Sequence, residues 1–164
     1  MFARIIGVFK LDAENFEEIE SDTSLTLTAA VIVALVGLVS GLGNGLFNGF
    51  IHKTFLGGFL GALVSVLLGW LLWSAVTWFV GTRFFHGEAD LGQMLRVVGF
   101  AYLPLVLSII PCVGGIIGIV WTFAAVFIAV RQGLDLDDMR TFLTVMVGAL
   151  VYVVLTGILN TFLG

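Results

Sequence analysis

The stretch from Thr141 to Leu163 contains no charged residue. About twenty apolar residues wound as a helix cross a hydrocarbon core of roughly 30 Å. Inside that core every amide and carbonyl must be bonded within the chain, so such a run is helical. Thr23 to Leu42 is equally free of charge, and further apolar runs lie between the two. The whole chain shares this character: 60% of residues are hydrophobic, 11% are charged, and the mean hydropathy is +1.16. A soluble domain carries about a quarter charged residues. The sequence therefore describes an integral, multi-pass membrane protein.

The expected fold is all-α, a polytopic bundle of five transmembrane helices at about 23-42, 55-80, 94-110, 112-130 and 141-163. Residues 1-22 form a separate cytoplasmic segment. Phe2, Ile5, Ile6 and Phe9 recur at helical spacing with Arg4 and Lys10 off the stripe, which predicts an amphipathic helix lying at the interface. An acidic run from Asp12 to Asp22 follows and is expected to be a solvated face. This segment lacks the pattern of a cleavable signal. The single Cys112 excludes an intrachain disulfide.

Charge placement sets the orientation. With five spans and the N-terminus inside, Arg4, Lys10, Arg83, Arg96, Arg131 and Arg140 fall on the cytoplasmic side and only Lys53 lies outside. Basic residues near span ends are retained inside, so the chain is expected with its N-terminus inside and its C-terminus outside. The acidic residues share the cytoplasmic side. There Glu88, Asp90, Arg96, Arg131 and Arg140 form a candidate site for a partner or a lipid headgroup, with Arg96 and Arg131 expected to face Glu88 or Asp90. Asp90 is the expected N-cap of the third span, and Asp135 the expected cap ahead of Arg140.

Two further patterns bear on packing. Gly99 and Pro104 interrupt the third span, and the missing proline amide predicts a hinge there. Glycines at Gly37 and Gly41, continuing to Gly45, Gly49, Gly57 and Gly61, and again at Gly114 and Gly118, offer smooth faces for close helix contact. Asn44-Gly45 and Asn48-Gly49 are turn dipeptides, expected to end the first helix. Trp78 suits an interfacial belt, while Trp70 and Trp73 suit packed or lipid-facing positions.

No catalytic, metal or cofactor-binding constellation is present. His52 and His86 fall on opposite sides of the expected membrane and cannot share a metal, and no charged group lies at membrane depth. The deep polar residues are Ser65, Ser74, Thr77, Tyr102, Ser108 and Thr122, hydroxyls that commonly bond a helix carbonyl. The expected function is non-catalytic: a membrane-organising scaffold that binds partners or lipids, with no cofactor and no nucleic acid. The alternative is a channel or transporter for a small solute, an ion or a lipid.

The segment GEADLGQMLRVVGFAYLPLVLSIIP, the aromatic-containing span IVWTFAAVFIAV and the loop RQGLDLDDMRT together resemble the Yip domain family, small five-span membrane proteins named for interacting with Ypt/Rab GTPases. The likeness is carried best by Leu91 to Gly164, above all by Gly99-Phe100-Ala101-Tyr102-Leu103-Pro104 and the Arg131 to Arg140 loop. It implies five helices, a cytoplasmic N-terminus, and trafficking-type partners including sister proteins of the same type. The short region ahead of the first span is similar to prokaryotic members and argues against GTPase binding. Expected partners are membrane lipids and a second copy or a related membrane protein.

Overall fold

The computed structural model describes residues 1–52, 55–110 and 113–163, with side-chain surroundings outside 40, 43–59, 62, 108–109, 156 and 158–164. The described secondary structure is entirely helical: α1 (Phe2–Lys10), α2 (Ala13–Ser21), α3 (Leu25–His52), α4 (Phe55–Phe85), α5 (Leu91–Ala101), a 3-10 helix (Leu103–Ile109), α6 (Gly114–Gly133) and α7 (Asp138–Leu163).

The N-terminal segment is a helical hairpin built into the bundle. Leu11 ends α1 in the left-handed conformation at φ 58°, and the Asp12 carboxylate caps α2 by accepting from the Glu14 amide. The two helices touch where Gly7 meets Asn15; a Cβ on Gly7 would lie 2.6 Å from Asn15 Nδ2. The same Asn15 amide donates to the Arg4 carbonyl at 3.0 Å. Phe16 and Ile19 of α2 are fully buried in one core with Val8, Met94, Val97, Val130 and Leu134. The acidic run is thus only in part the solvated face expected of it: Glu14, Glu17 and Glu18 are exposed, but the opposite face of α2 packs on α5 and α6.

The chain bends by 118° between α2 and α3. Leu63–Phe85, Gly114–Gly133 and Asp138–Leu155 are long and apolar enough to cross a membrane, and α2 with α3 makes a fourth candidate if the bent pair is one span. The described residues therefore support three to four spans by length and composition rather than fix five. The third expected span is instead a short apolar stretch, Leu91–Leu107.

Two expected helix ends move. Asn44-Gly45 and Asn48-Gly49 lie within α3, which continues to His52. Turn propensity yields there because a helix satisfies the backbone internally where lipid cannot. At the other end α4 runs on past Val80 to Phe85 and includes Arg83. The breaks at Lys53 and at Pro111-Cys112 lie outside the described residues. The hinge at Pro104 is present: α5 stops at Ala101, and the chain tightens into the 3-10 helix with Pro104 in its first turn.

Close helix contact falls where small residues were expected. A Cβ on Gly37 would sit 2.9 Å from Leu63 Cδ1, and one on Gly99 2.8 Å from Ala29 Cβ. On α6, Gly118 brings its backbone against the Pro104 carbonyl, and a Cβ on Gly114 would run into the Leu107 carbonyl oxygen. Gly41 is buried, while Gly61 faces open space. What Gly45, Gly49 and Gly57 meet lies outside the described residues. The resulting bundle places α5 among α3, α4 and α6, with α7 held mainly by α4.

Candidate functional site

One end of the bundle collects the polar layer. Asp90 starts α5 with a capping box: its carboxylate accepts from the Gln93 amide at 2.8 Å, and the Gln93 side chain accepts from the Asp90 amide. Gln93 also donates to Glu20 Oε1 at 2.7 Å, and Gln132 at the end of α6 donates to Glu17 Oε1 at 2.6 Å. Two neutral amides thereby tie Glu20 and Glu17, at the edges of the packed face of α2, to α5 and α6. Trp78 Nε1 donates to the Ala89 carbonyl at 3.0 Å, so it ties the α4–α5 loop to its own helix rather than facing headgroups alone.

Arg96 is the centre of this layer and departs from expectation. It is 5% exposed. Its Nε and Nη2 both donate to the Glu20 carbonyl, at 2.9 and 2.6 Å, and Nη1 reaches Thr26 Oγ1 at 3.3 Å. The guanidinium therefore closes the C-terminal end of α2 and reaches the first turn of α3. A cation there also complements the negative end of the α2 dipole.

Asp90 joins it through Gln93, whereas Arg131, Arg140 and Glu88 do not. Arg131 pairs with Asp138 at 3.0 Å and Arg140 with Asp137 at 3.2 Å, all four side chains being substantially exposed. Among the described residues neither Arg96 nor Arg131 forms an ion pair with Glu88 or Asp90, although Arg96 Nη1 and Asp90 Oδ1 approach the same side of Gly92. Glu88 is exposed, with its amide bonded to the Leu134 carbonyl at 3.1 Å. Nor does Asp135 cap α7. It adopts the left-handed conformation at φ 51°, and Asp137 takes the role, accepting from the Arg140 amide at 2.9 Å.

Glu20 is the residue that sequence reasoning missed. Burial pushes its carboxyl up to about 7, reinforced by the neighbouring Asp135, Glu17 and Asp90 and opposed by Arg96. Its partner Gln93 is far away in sequence, so no local pattern marks it. Asp22, in contrast, is held below the ordinary carboxylate range, first by the Ser24 hydroxyl and also by Arg4 at 3.0 Å.

A second feature lies within the bundle. A cavity of about 610 Å³ opens between α4, α6, α7 and the α5 hinge, and its wall includes Ser65, Trp73, Tyr102, Thr122, Val126 and Tyr152. Trp73 and Tyr152 meet edge to face, with ring centroids 5.6 Å apart. Of the deep hydroxyls, Ser65, Tyr102 and Thr122 gather here, while Thr77 bonds the Trp73 carbonyl of its own helix at 2.8 Å. The side chain of Ser108 lies outside the described residues.

The family model of the Yip1 domain matches residues 6–159 of this chain. No curated protein matches it, and no solved structure does.

Proposed function

The chain belongs to the Yip1 domain family, and on that premise we propose that it is a non-catalytic membrane scaffold binding partners or lipids through its cytoplasmic face. The observation that carries this reading is the attachment of α2 by Arg96, which makes the N-terminal hairpin a fixed part of the membrane domain. A fixed hairpin presents Glu14, Glu17 and Glu18 in a set geometry. The glycine contacts at Gly37, Gly99, Gly114 and Gly118 support it too, because these residues close helix interfaces instead of lining a passage.

In this reading the chain crosses a prokaryotic cytoplasmic membrane five times, with α1 lying at the inner interface and the C-terminus outside. Exposed Phe2 and Ile6 suit that placement of α1. A membrane-impermeant maleimide applied to intact cells then labels Cys112, whereas a cysteine replacing Glu18 in a Cys112→Ser background stays unlabelled. Labelling of the Glu18 position alone would invert the orientation.

The scaffold reading is tested with a photo-cross-linking residue at Glu18 in native membranes. Discrete protein or lipid adducts, lost when Arg96→Met releases the hairpin, support it. An absence of adducts combined with solute flux in proteoliposomes would favour the conduit, for which the cavity is the supporting observation.

A further inference from the structure

The cavity has a chemical signature separate from the cytoplasmic face. Its wall is almost wholly apolar and, among the described residues, includes no acid, lysine, arginine or histidine. Thr122, 8% exposed, is one of four hydroxyls among the described residues that are buried with no hydrogen-bond partner, with Ser74, Thr141 and Thr144, and of the four it is the one on the cavity wall. An unsatisfied buried hydroxyl is costly, and a threonine on a helix ordinarily relieves that cost by bonding the carbonyl of the preceding turn. Thr77 and Thr82 do so on α4, each at 2.8 Å. Thr122 does not, and it stands on the cavity wall.

The hinge adds a second polar group. Because α5 ends at Ala101 and the backbone re-forms as a 3-10 helix, Tyr102 is placed at the junction and lines the same cavity. Ser65 and Trp73 face it from α4, about 12 Å apart along that helix. The volume lies within the ~300–1,000 Å³ of small-molecule sites, which pair an apolar wall with a few placed polar groups.

A second recess makes a natural contrast. Among the described residues, the groove of about 480 Å³ between α4 and α7 is lined by alanine, valine, phenylalanine and leucine alone, including Phe79, Val147 and Leu155. It offers a lipid chain nothing but contact. We infer that the 610 Å³ cavity is a binding site for an uncharged amphiphile, a hydrophobic chain or ring bearing one hydroxyl or carbonyl that bonds Thr122 and Tyr102. The described wall residues supply no cation to a phosphate-bearing or ionised group, and burying an unpaired charge costs far more than burying a hydroxyl, which favours an uncharged ligand.

The experiment uses the full chain in phosphatidylcholine vesicles with two photoreactive probes of equal length, a diazirine-bearing long-chain alcohol and the corresponding alkane. Labelled residues are mapped by mass spectrometry, and the α4–α7 groove serves as the internal control. The alcohol is expected to label the cavity saturably and the groove only in proportion to concentration, and the alkane to label both in proportion. Thr122→Val, which keeps the shape and removes the hydroxyl, raises the half-saturating alcohol concentration about three- to tenfold. Ala149→Phe fills the cavity and removes saturable labelling while leaving the groove unchanged. Equal labelling by alcohol and alkane, equal saturation in the groove, or saturation untouched by both substitutions would overturn the assignment. If Thr122→Val also alters groove labelling, Ala149→Phe decides. Because no cytoplasmic partner is involved, the outcome is independent of the scaffold proposal.

Discussion

Arg96 holds Glu20 by its backbone, not by its carboxylate: two guanidinium nitrogens converge on the Glu20 carbonyl oxygen at 2.6 and 2.9 Å. A helix ends with carbonyls that have no partner of their own. At the turn from α2 into α3 a buried cation supplies one, and it leaves the Glu20 side chain to be met by the neutral Gln93 amide. The carboxylate is thereby desolvated without an ion pair, which is why it retains its proton to unusually high pH.

Replacing Arg96 by methionine keeps the length of the side chain and removes every one of these bonds. Hydrogen bonds made by charged groups contribute about 1.5–3 kcal/mol, so the thermal midpoint in detergent should fall by several degrees. Amides of α2 should also exchange faster with deuterium. Arg96→Lys should recover only a small part, because an ammonium cannot reproduce the planar fork. An α2 exchange profile unchanged by Arg96→Met would show that apolar packing of Phe16 and Ile19 alone holds the hairpin.

The raised pKa of Glu20 gives stability a definite pH dependence. Its carboxyl goes from an ordinary 4.5 to about 7 in the folded chain. Between those values the folded state binds the proton more tightly than the unfolded one, so stability is greatest below pH 4.5 and declines as pH rises toward 7. Above that the contribution stays lost. Glu20→Gln, whose side-chain carbonyl still accepts from Gln93, should flatten this component of a plot of thermal midpoint against pH. A slope that persists in Glu20→Gln would place the titration elsewhere.

The parts legible in the sequence were those fixed by nearby residues. Asp90 with Gln93 three positions on is a capping pattern, and Pro104 announces its own break. Phe16 and Ile19 do repeat at helical spacing, but nothing local says that their face docks on α5 and α6. The same limit hid the Arg96–Glu20 bond, since an arginine near the end of a span reads as a topological signal until its partner is seen. The cavity is further from reach: it arises from the spacing of separate helices around the Tyr102 hinge, which no periodicity encodes.

Gly114 and Gly115 are neighbours with opposite prospects. A methyl group on Gly114 would collide with the Leu107 carbonyl, whereas one on Gly115 meets nothing within 4 Å. Gly114→Ala should therefore separate α6 from the 3-10 helix and cost about 1–3 kcal/mol. Gly115→Ala should be neutral or stabilise by up to ~1 kcal/mol through helix propensity. Unfolding midpoints of the two variants in the same detergent measure the difference directly, and equal midpoints would deny the close backbone approach.

The loop into α7 distinguishes two aspartates that look alike in sequence. Leu134 is fully buried and packs against Gly81 and Gly87, and its carbonyl receives the Glu88 amide. With Leu134 anchored, the chain passes through the left-handed region at Asp135, and this turn delivers Asp137 to the N-terminus of α7. Asp137→Ala should then cost about 0.5–2 kcal/mol as a lost cap. Asp135→Gly removes a residue that tolerates positive φ only at some cost, and should be neutral or stabilising by up to ~1 kcal/mol. It also removes a negative charge that raises the Glu20 pKa, so the pH at which Glu20 titrates should fall in Asp135→Gly and stay put in Asp137→Ala. If instead Asp135→Gly destabilises as much as Asp137→Ala, the cap is shared and the turn assigned to Asp135 is wrong.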